Sequence, residues 1–97
     1  MDNYKRYLID WDEMKRDILK KTSDKGIYTI SKYEEGYESC VFEVKFEDEI
    51  YLSNLEKLQN QVNEIIGNFY LAEFVITKNN LIFLEIEEMI ESKGINL

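Results

Sequence analysis

The stretch AEFVITKNNLIFLEI, running from Ala72 to Ile86, decides how this chain folds. Two runs of β-branched and aromatic residues flank Lys78-Asn79-Asn80, which reads as a β-hairpin whose register has to be worked out. A two-residue turn on Asn79-Asn80 would pair Phe74 with Glu85 and Ile76 with Phe83, mixing carboxylates into the apolar face. A three-residue loop, Lys78 to Asn80, pairs Ile76 with Ile82, Phe74 with Leu84 and Ala72 with Ile86. The aliphatic residues then share one face, because side chains alternate along a strand and a one-residue slip turns the whole set over. We therefore expect the three-residue loop, with Asn80 in the left-handed conformation such loops require. The strands span about 69–77 and 81–88.

Upstream, Ser53-Asn54-Leu55-Glu56 fits a capping box with Ser53 as N-cap. Leu55, Leu58, Val62, Ile65 and Ile66 follow at helical spacing, and Gly67-Asn68 closes the helix. The same plan precedes it. An apolar series at Tyr4, Tyr7, Leu8, Trp11, Met14 and Ile18 predicts one helix over 3–22, in preference to a short strand at Arg6–Ile9 followed by a helix from Asp10. Thr22 to Gly26 ends it. Residues 27–33 read as a strand, Glu34-Glu35-Gly36 as a turn, and 39–47 as a strand with Cys40, Phe42, Val44 and Phe46 facing inward. Ile50-Tyr51-Leu52 is a short extended lead into the second helix.

The expectation is one α+β domain over 1–97 in which two helix–strand–strand units form a four-stranded antiparallel sheet with both helices on one face. The two units share a plan without residue-level repetition. Residues 89–97 are left unassigned, as a candidate loose tail. A core this small also suits a homodimer that hides further surface.

Composition narrows the class. The 97 residues include 12 Lys or Arg against 20 Asp or Glu, for a net charge of −8, and the apolar share of 44% is too high for a disordered chain. No run approaches the ~18–20 apolar residues of a membrane span, and no signal-peptide core opens the chain. One cysteine excludes an internal disulfide framework and points to a reducing cytoplasm. The charge is unevenly placed. Residues 1–25 are near +1, with Lys5, Arg6, Lys15, Arg16, Lys20, Lys21 and Lys25, and the acidic excess lies wholly beyond them. Such a field repels nucleic acid and anionic membrane and attracts basic surfaces.

If both helices cover one side of the sheet, the other displays Val41, Glu43, Lys45, Glu47, Glu73, Val75, Thr77, Phe83, Glu85 and Glu87. Glu34, Glu35 and Glu38 add charge at the first turn, and Asp48 and Glu49 after the second strand. Alternate residues on one strand face stand ~6.5–7 Å apart. Glu43/Glu47 and Glu85/Glu87 are thus expected to set out anions at roughly the spacing of phosphates along a nucleic-acid strand. A sheet needs polar residues on its wet side in any case. Phe83 and Val75, apolar and ringed by charge, are what distinguishes an interface from a merely solvated face. The partner-binding residues expected on these grounds are Glu34, Glu35, Glu43, Glu47, Asp48, Glu49, Glu73, Phe83, Glu85 and Glu87. Most of the other aromatics belong to core faces; Tyr33, Tyr37 and Tyr51, near turns, are candidate contact anchors.

Catalytic constellations are missing. The chain has no histidine, no glycine-rich phosphate loop and no nucleophile beside a base. Cys40 sits at an inward strand position, where cysteine acts as a small hydrophobe. Paired carboxylates can serve a glycosidase or a Mg²⁺-dependent nuclease, but exposed glutamates on an open sheet gain no special pKa. The chain is read as a non-enzyme, with no cofactor and no metal.

In size, compact α+β outline and acidic runs such as EEGYE (34–38), FEDEI (46–50) and LEIEEMIE (84–91), the chain resembles the small acidic inhibitors that phages encode against host defence, anti-CRISPR proteins among them. The resemblance implies blockade of a basic, nucleic-acid-binding protein such as a nuclease by charge mimicry, without direct contact to nucleic acid or membrane. The Lys and Arg of the first helix depart from a uniformly acidic mimic, and would have that helix face away from the target or mediate self-association. Two other readings stay open: an immunity protein or antitoxin neutralising a nuclease toxin, and an assembly subunit forming a homo-oligomer.

Overall fold

A computed structural model describes residues 9–22, 28–47 and 54–89. Two helices, α1 (Trp11–Thr22) and α2 (Leu55–Ile66), pack on one face of an antiparallel sheet of four strands, β1 (Tyr28–Glu35), β2 (Ser39–Phe46), β3 (Tyr70–Ile76) and β4 (Ile82–Glu88), in the order β1-β2-β4-β3. This is the expected α+β class with its two helix–strand–strand units.

The second hairpin has the register its aliphatic residues demand. Ile76 pairs with Ile82, Phe74 with Leu84 and Ala72 with Ile86, and Asn80 takes φ 66°. Thr77 closes the loop: its N–H donates to the Leu81 carbonyl (2.8 Å), and its Oγ1 accepts from the backbone N–H of Leu81 (3.1 Å) and Asn79 (3.3 Å).

The first helix differs from expectation. It begins at Trp11, with Asp10 as its cap: Asp10 Oδ1 accepts from the Glu13 N–H at 3.0 Å, and the Asp10 carbonyl accepts from the Met14 N–H. A side-chain cap of this kind is worth about 1 kcal/mol, and here it outweighs the continuity of the apolar stripe, so the helix starts where the rejected alternative placed it. Tyr4, Tyr7 and Leu8 lie outside the described residues, as do Thr22's neighbours 23–27. Asp12 and Glu13 in the first turn and Lys20 and Lys21 in the last complement the helix dipole. At α2, Asn54 occupies the cap position and makes no side-chain capping bond; the expected box rests on Ser53, which lies outside the described residues. Gly67, at φ 89°, ends the helix, and its N–H donates to the Asn63 carbonyl.

The core fills the space between layers. Trp11 and Ile18 of α1, Leu58 and Val62 of α2, and Tyr28, Ile30, Cys40, Phe42, Val44, Ala72, Ile82, Leu84 and Ile86 of the sheet are all buried. Trp11 meets Phe42 and Tyr70 edge-on, at 6.5 and 6.3 Å between ring centroids, and so ties α1 to a central and an edge strand at once. Thr22, the last residue of α1, is buried; its hydroxyl donates to the Ile18 carbonyl and hydrogen-bonds the Tyr28 hydroxyl.

β1 extends two residues further than expected. It reaches Glu35 through a bulge between Lys32 and Glu34, and the turn falls on Gly36 to Glu38. The bulged residue is Tyr33. Gly36 donates to the Ser39 carbonyl at 2.7 Å, and a Cβ at Gly36 would stand 3.1 Å from that oxygen, which suits glycine there.

Candidate functional site

The helix-free side of the sheet can be read in rows from the strand register. One row across β1-β2-β4-β3 is Ser31, Glu43, Phe83 and Val75; the next is Glu34, Val41, Glu85 and Glu73; the next, on β2, β4 and β3, is Ser39, Glu87 and Leu71. Lys45 stands in a further row beside Thr29. No described helix covers this side.

An apolar seam runs through those rows. The bulge in β1 sets Tyr33 beside Glu34 on the open side, and the Tyr33 ring reaches over β2 to meet Phe83 of β4, centroids 4.9 Å apart and planes 56° apart. Tyr33 nevertheless remains 63% exposed. Val75 continues the seam beside Phe83, and Leu71 lies two rows along on the same edge strand; both are more than a third exposed. Phe69 and Leu81, just outside β3 and β4, are also exposed.

Carboxylates surround the seam. Glu43 is directly opposite Phe83, Glu85 is flanked by Val41 and Glu73, and Glu87 by Ser39 and Leu71. Among the described residues no lysine or arginine lies in ion-pair distance of Glu34, Glu43, Glu73, Glu85 or Glu87. Glu73 and Glu85 face each other as a like-charged cross-strand pair, an arrangement that costs stability.

The structure sorts the expected partner-binding residues into groups. Glu34, Glu43, Glu73, Phe83, Glu85 and Glu87 come together on the open side. Glu35 does not belong with them: it pairs in register with Cys40, on the helix side, and its carboxylate holds Lys32 Nζ at 2.9 Å. Glu47 is exposed just beyond β2. It lies four residues from Glu43 with Lys45 between, so the phosphate-like spacing holds for Glu85/Glu87 and not for Glu43/Glu47. Asp48, Glu49 and Tyr51 lie outside the described residues. Leu71 and Phe69 were legible by stepping back along the alternation from Glu73. Tyr33 falls on this face by simple alternation from Thr29 and Ser31; what the bulge changes is Glu34, brought to the open side, and Glu35, turned to the helix side.

Both sheet edges are closed to strand pairing by identifiable devices. At β3, Asn63 of α2 donates from Nδ2 to the Ala72 carbonyl (3.0 Å) and accepts from the Ala72 N–H (2.8 Å), while Gln59 Oε1 accepts from the Phe74 N–H (2.9 Å). At β1, the bulge is joined by Lys32, which sits in register with buried Phe42 and reaches Asp12 of α1 (3.2 Å) as well as Glu35. Bulges and inward-pointing charges are standard protections for an edge strand. The Lys32 ammonium is held above its ordinary pKa, chiefly by the hydrogen bond to Glu35 and then by Asp12.

Elsewhere little chemistry converges. Cys40 is buried, and its thiol is pushed up to about 11, first by burial and then by the Glu35 carboxylate, so it is protonated at neutral pH. A shallow cleft of about 340 Å³ lies between Ile9, Trp11 and the Glu35–Tyr37 turn; its one carboxylate is already engaged by Lys32. Among the described residues no three His, Cys, Asp or Glu side chains gather closely enough to hold a metal, and no helix is long and apolar enough to cross a membrane.

Comparison with protein-family models, with curated proteins and with solved structures finds no match to the chain.

Proposed function

We propose that this chain is a small, non-catalytic acidic binding protein that docks its open sheet face on a basic, nucleic-acid-binding protein and blocks it by charge mimicry, as an anti-defence inhibitor of the anti-CRISPR kind would. One observation carries the reading: five carboxylates without cation partners among the described residues ring an exposed apolar seam on the side that no described helix covers. An apolar centre within a charged rim is the anatomy of an interface. Both edges are protected, which argues against association by strand pairing and in favour of the face. A homodimer joined through this face would set Glu73 and Glu85 against their own copies, which favours a basic partner over a second copy.

The charge contrast between the two sides supports the same orientation. On the helices behind the sheet, Lys15, Arg16, Lys20, Lys21 and Lys57 are balanced by Asp12, Glu13, Asp17, Glu56 and Glu64. A basic target is therefore drawn to the acidic front more than to the neutral back. Steering of this type gives fast, salt-sensitive association.

The test is affinity capture from cell extract with the wild-type chain and with the Glu43→Lys/Glu85→Lys/Glu87→Lys variant, whose fold is checked by circular dichroism. The protein retained only by the wild type is purified and loaded with its nucleic acid, which the wild-type chain is expected to displace. A partner that survives the triple reversal, or that keeps its nucleic acid at saturating inhibitor, would falsify the reading. Capture at ~50 mM NaCl should be lost at ~500 mM, because the screening length shrinks severalfold over that range.

A further inference from the structure

We infer, on the reading just given, that the face is built to take arginine side chains of the partner in preference to lysine, with the Tyr33–Phe83 pair as the stacking platform. Charge complementarity alone asks only for cations. The platform asks for more. The two rings meet at 4.9 Å with their planes 56° apart, so that Phe83 supports Tyr33 and most of the Tyr33 ring stays open to solvent. Glu43 stands directly across from Phe83, and opposed side chains of neighbouring strands have Cβ atoms about 4.5–5.5 Å apart. Glu34 adjoins Tyr33 in the chain and lies on the same face.

A planar cation laid on the rings would therefore have carboxylates at its rim. Guanidinium fits this geometry for three reasons. It is flat and stacks on aromatic faces, its donors fork to a carboxylate, and it is less strongly hydrated than ammonium, so it sheds water at lower cost. A lysine ammonium would gain the charge and forgo the stack and the fork. Two features favour a function for the platform over incidental packing. The bulge at Tyr33 brings Glu34 onto the open side next to the ring, and the Tyr33 ring itself lies on the uncovered side, outside the core cluster.

The experiment uses the full chain and two synthetic nine-residue peptides, one alternating arginine with glycine and one alternating lysine with glycine, matched in charge. Affinities are measured by calorimetry in low salt for the wild type, for Tyr33→Leu/Phe83→Leu, and for Glu43→Lys/Glu85→Lys. The arginine peptide is expected to bind the wild type about fivefold or more tighter than the lysine peptide, in line with one exposed cation–π contact plus a fork. The double leucine variant should bring the two peptides level. If the peptides bind the wild type equally, and both weaken on charge reversal, the arginine platform is overturned while the acidic docking face stands. If neither peptide distinguishes the wild type from the charge-reversed variant, the docking face fails and the platform with it. Should the leucine variant not fold, the arginine-to-lysine ratio on the wild type decides alone.

Discussion

Glu73 of β3 and Glu85 of β4 stand directly opposite one another on the uncovered face, with no cation of the described chain between them. Directly opposed like charges cost a sheet up to about 1 kcal/mol, and an opposite pair returns a similar amount. Glu73→Lys is therefore expected to raise the stability of the free protein by about 0.5–1 kcal/mol in urea unfolding at low salt. The same variant should bind basic peptides more weakly, since the partner meets one cation where it met an anion. Added salt should stabilise the wild type more than the variant. On the proposed reading, the face gives up stability when free and would recover it on binding. An unchanged unfolding midpoint for Glu73→Lys at low salt would show that the pair is already relaxed by solvent.

The Asn63 side chain completes the β3 edge by reading Ala72 with both its amide groups. Asn63→Leu removes both bonds and leaves a partly buried N–H and C=O to find other partners, at an expected cost of about 1–3 kcal/mol. Asn63→Asp is nearly the same size but sets a carboxylate oxygen against the Ala72 carbonyl, so it should be no better than leucine at neutral pH. Opening the edge also exposes a pairing template. Light scattering should therefore detect oligomers of Asn63→Leu at concentrations where the wild type is monodisperse. A variant that is as stable and as monodisperse as the wild type would reduce the clamp to a surface contact.

These two sites show how unevenly the molecule was legible. The second hairpin could be read to the residue because the wrong register would have put Glu85 opposite Phe74, and burial forbids that. The open face followed from the same alternation, which places Glu43, Glu73, Glu85 and Glu87 without reference to any partner. Local side-chain chemistry was harder to weigh. Asp10 lies inside an apolar stripe that would suit one long helix, yet its oxygen caps the Glu13 N–H, and a hydrogen bond of that kind leaves no trace in periodicity. Glu34 and Glu35 exchange the faces that alternation gives them for a shared reason. The bulge inserts one residue into β1, so the faces assigned by strict alternation no longer hold beyond Tyr33. Asn63 and Gln59 fall between the stripe residues of α2 and read as ordinary surface polars, since their role depends on an edge strand lying beside them.

The loop that sets the register offers a backbone test. Asn80 occupies the left-handed region at φ 66°, where asparagine and glycine are tolerated and β-branched residues are not. Asn80→Gly should change stability by no more than a few tenths of a kcal/mol, whereas Asn80→Val should cost about 1–2 kcal/mol. Thr77→Val removes the hydroxyl that accepts from Asn79 and Leu81 while keeping the shape, at an expected cost of about 1 kcal/mol. Thermal unfolding of the three variants checks the ordering. Equal stability of Asn80→Gly and Asn80→Val would mean the loop rearranges freely and does not set the register.

Cys40 gives the protein a pH dependence with a definite sign. In the native state its thiol is pushed up to about 11 from an ordinary 9.0, because burial and the Glu35 carboxylate both oppose the thiolate. The unfolded chain therefore releases this proton first. Between about pH 9 and pH 11 the unfolded state holds fewer protons than the native state, so stability falls as pH rises. The contribution is fully present below pH 9 and lost on passing through the folded value, up to about 2–3 kcal/mol across the window. Lysines and tyrosines titrate in the same range, so the measurement is the difference between wild type and Cys40→Ala in urea unfolding at pH 8, 9.5 and 10.5. The wild type is expected to lose stability faster than the variant over those steps, and its thiol to react with a disulfide reagent only as fast as the sheet opens. Parallel pH curves for the two proteins, or rapid reaction of the native thiol at pH 8, would contradict a protonated cysteine buried in the core.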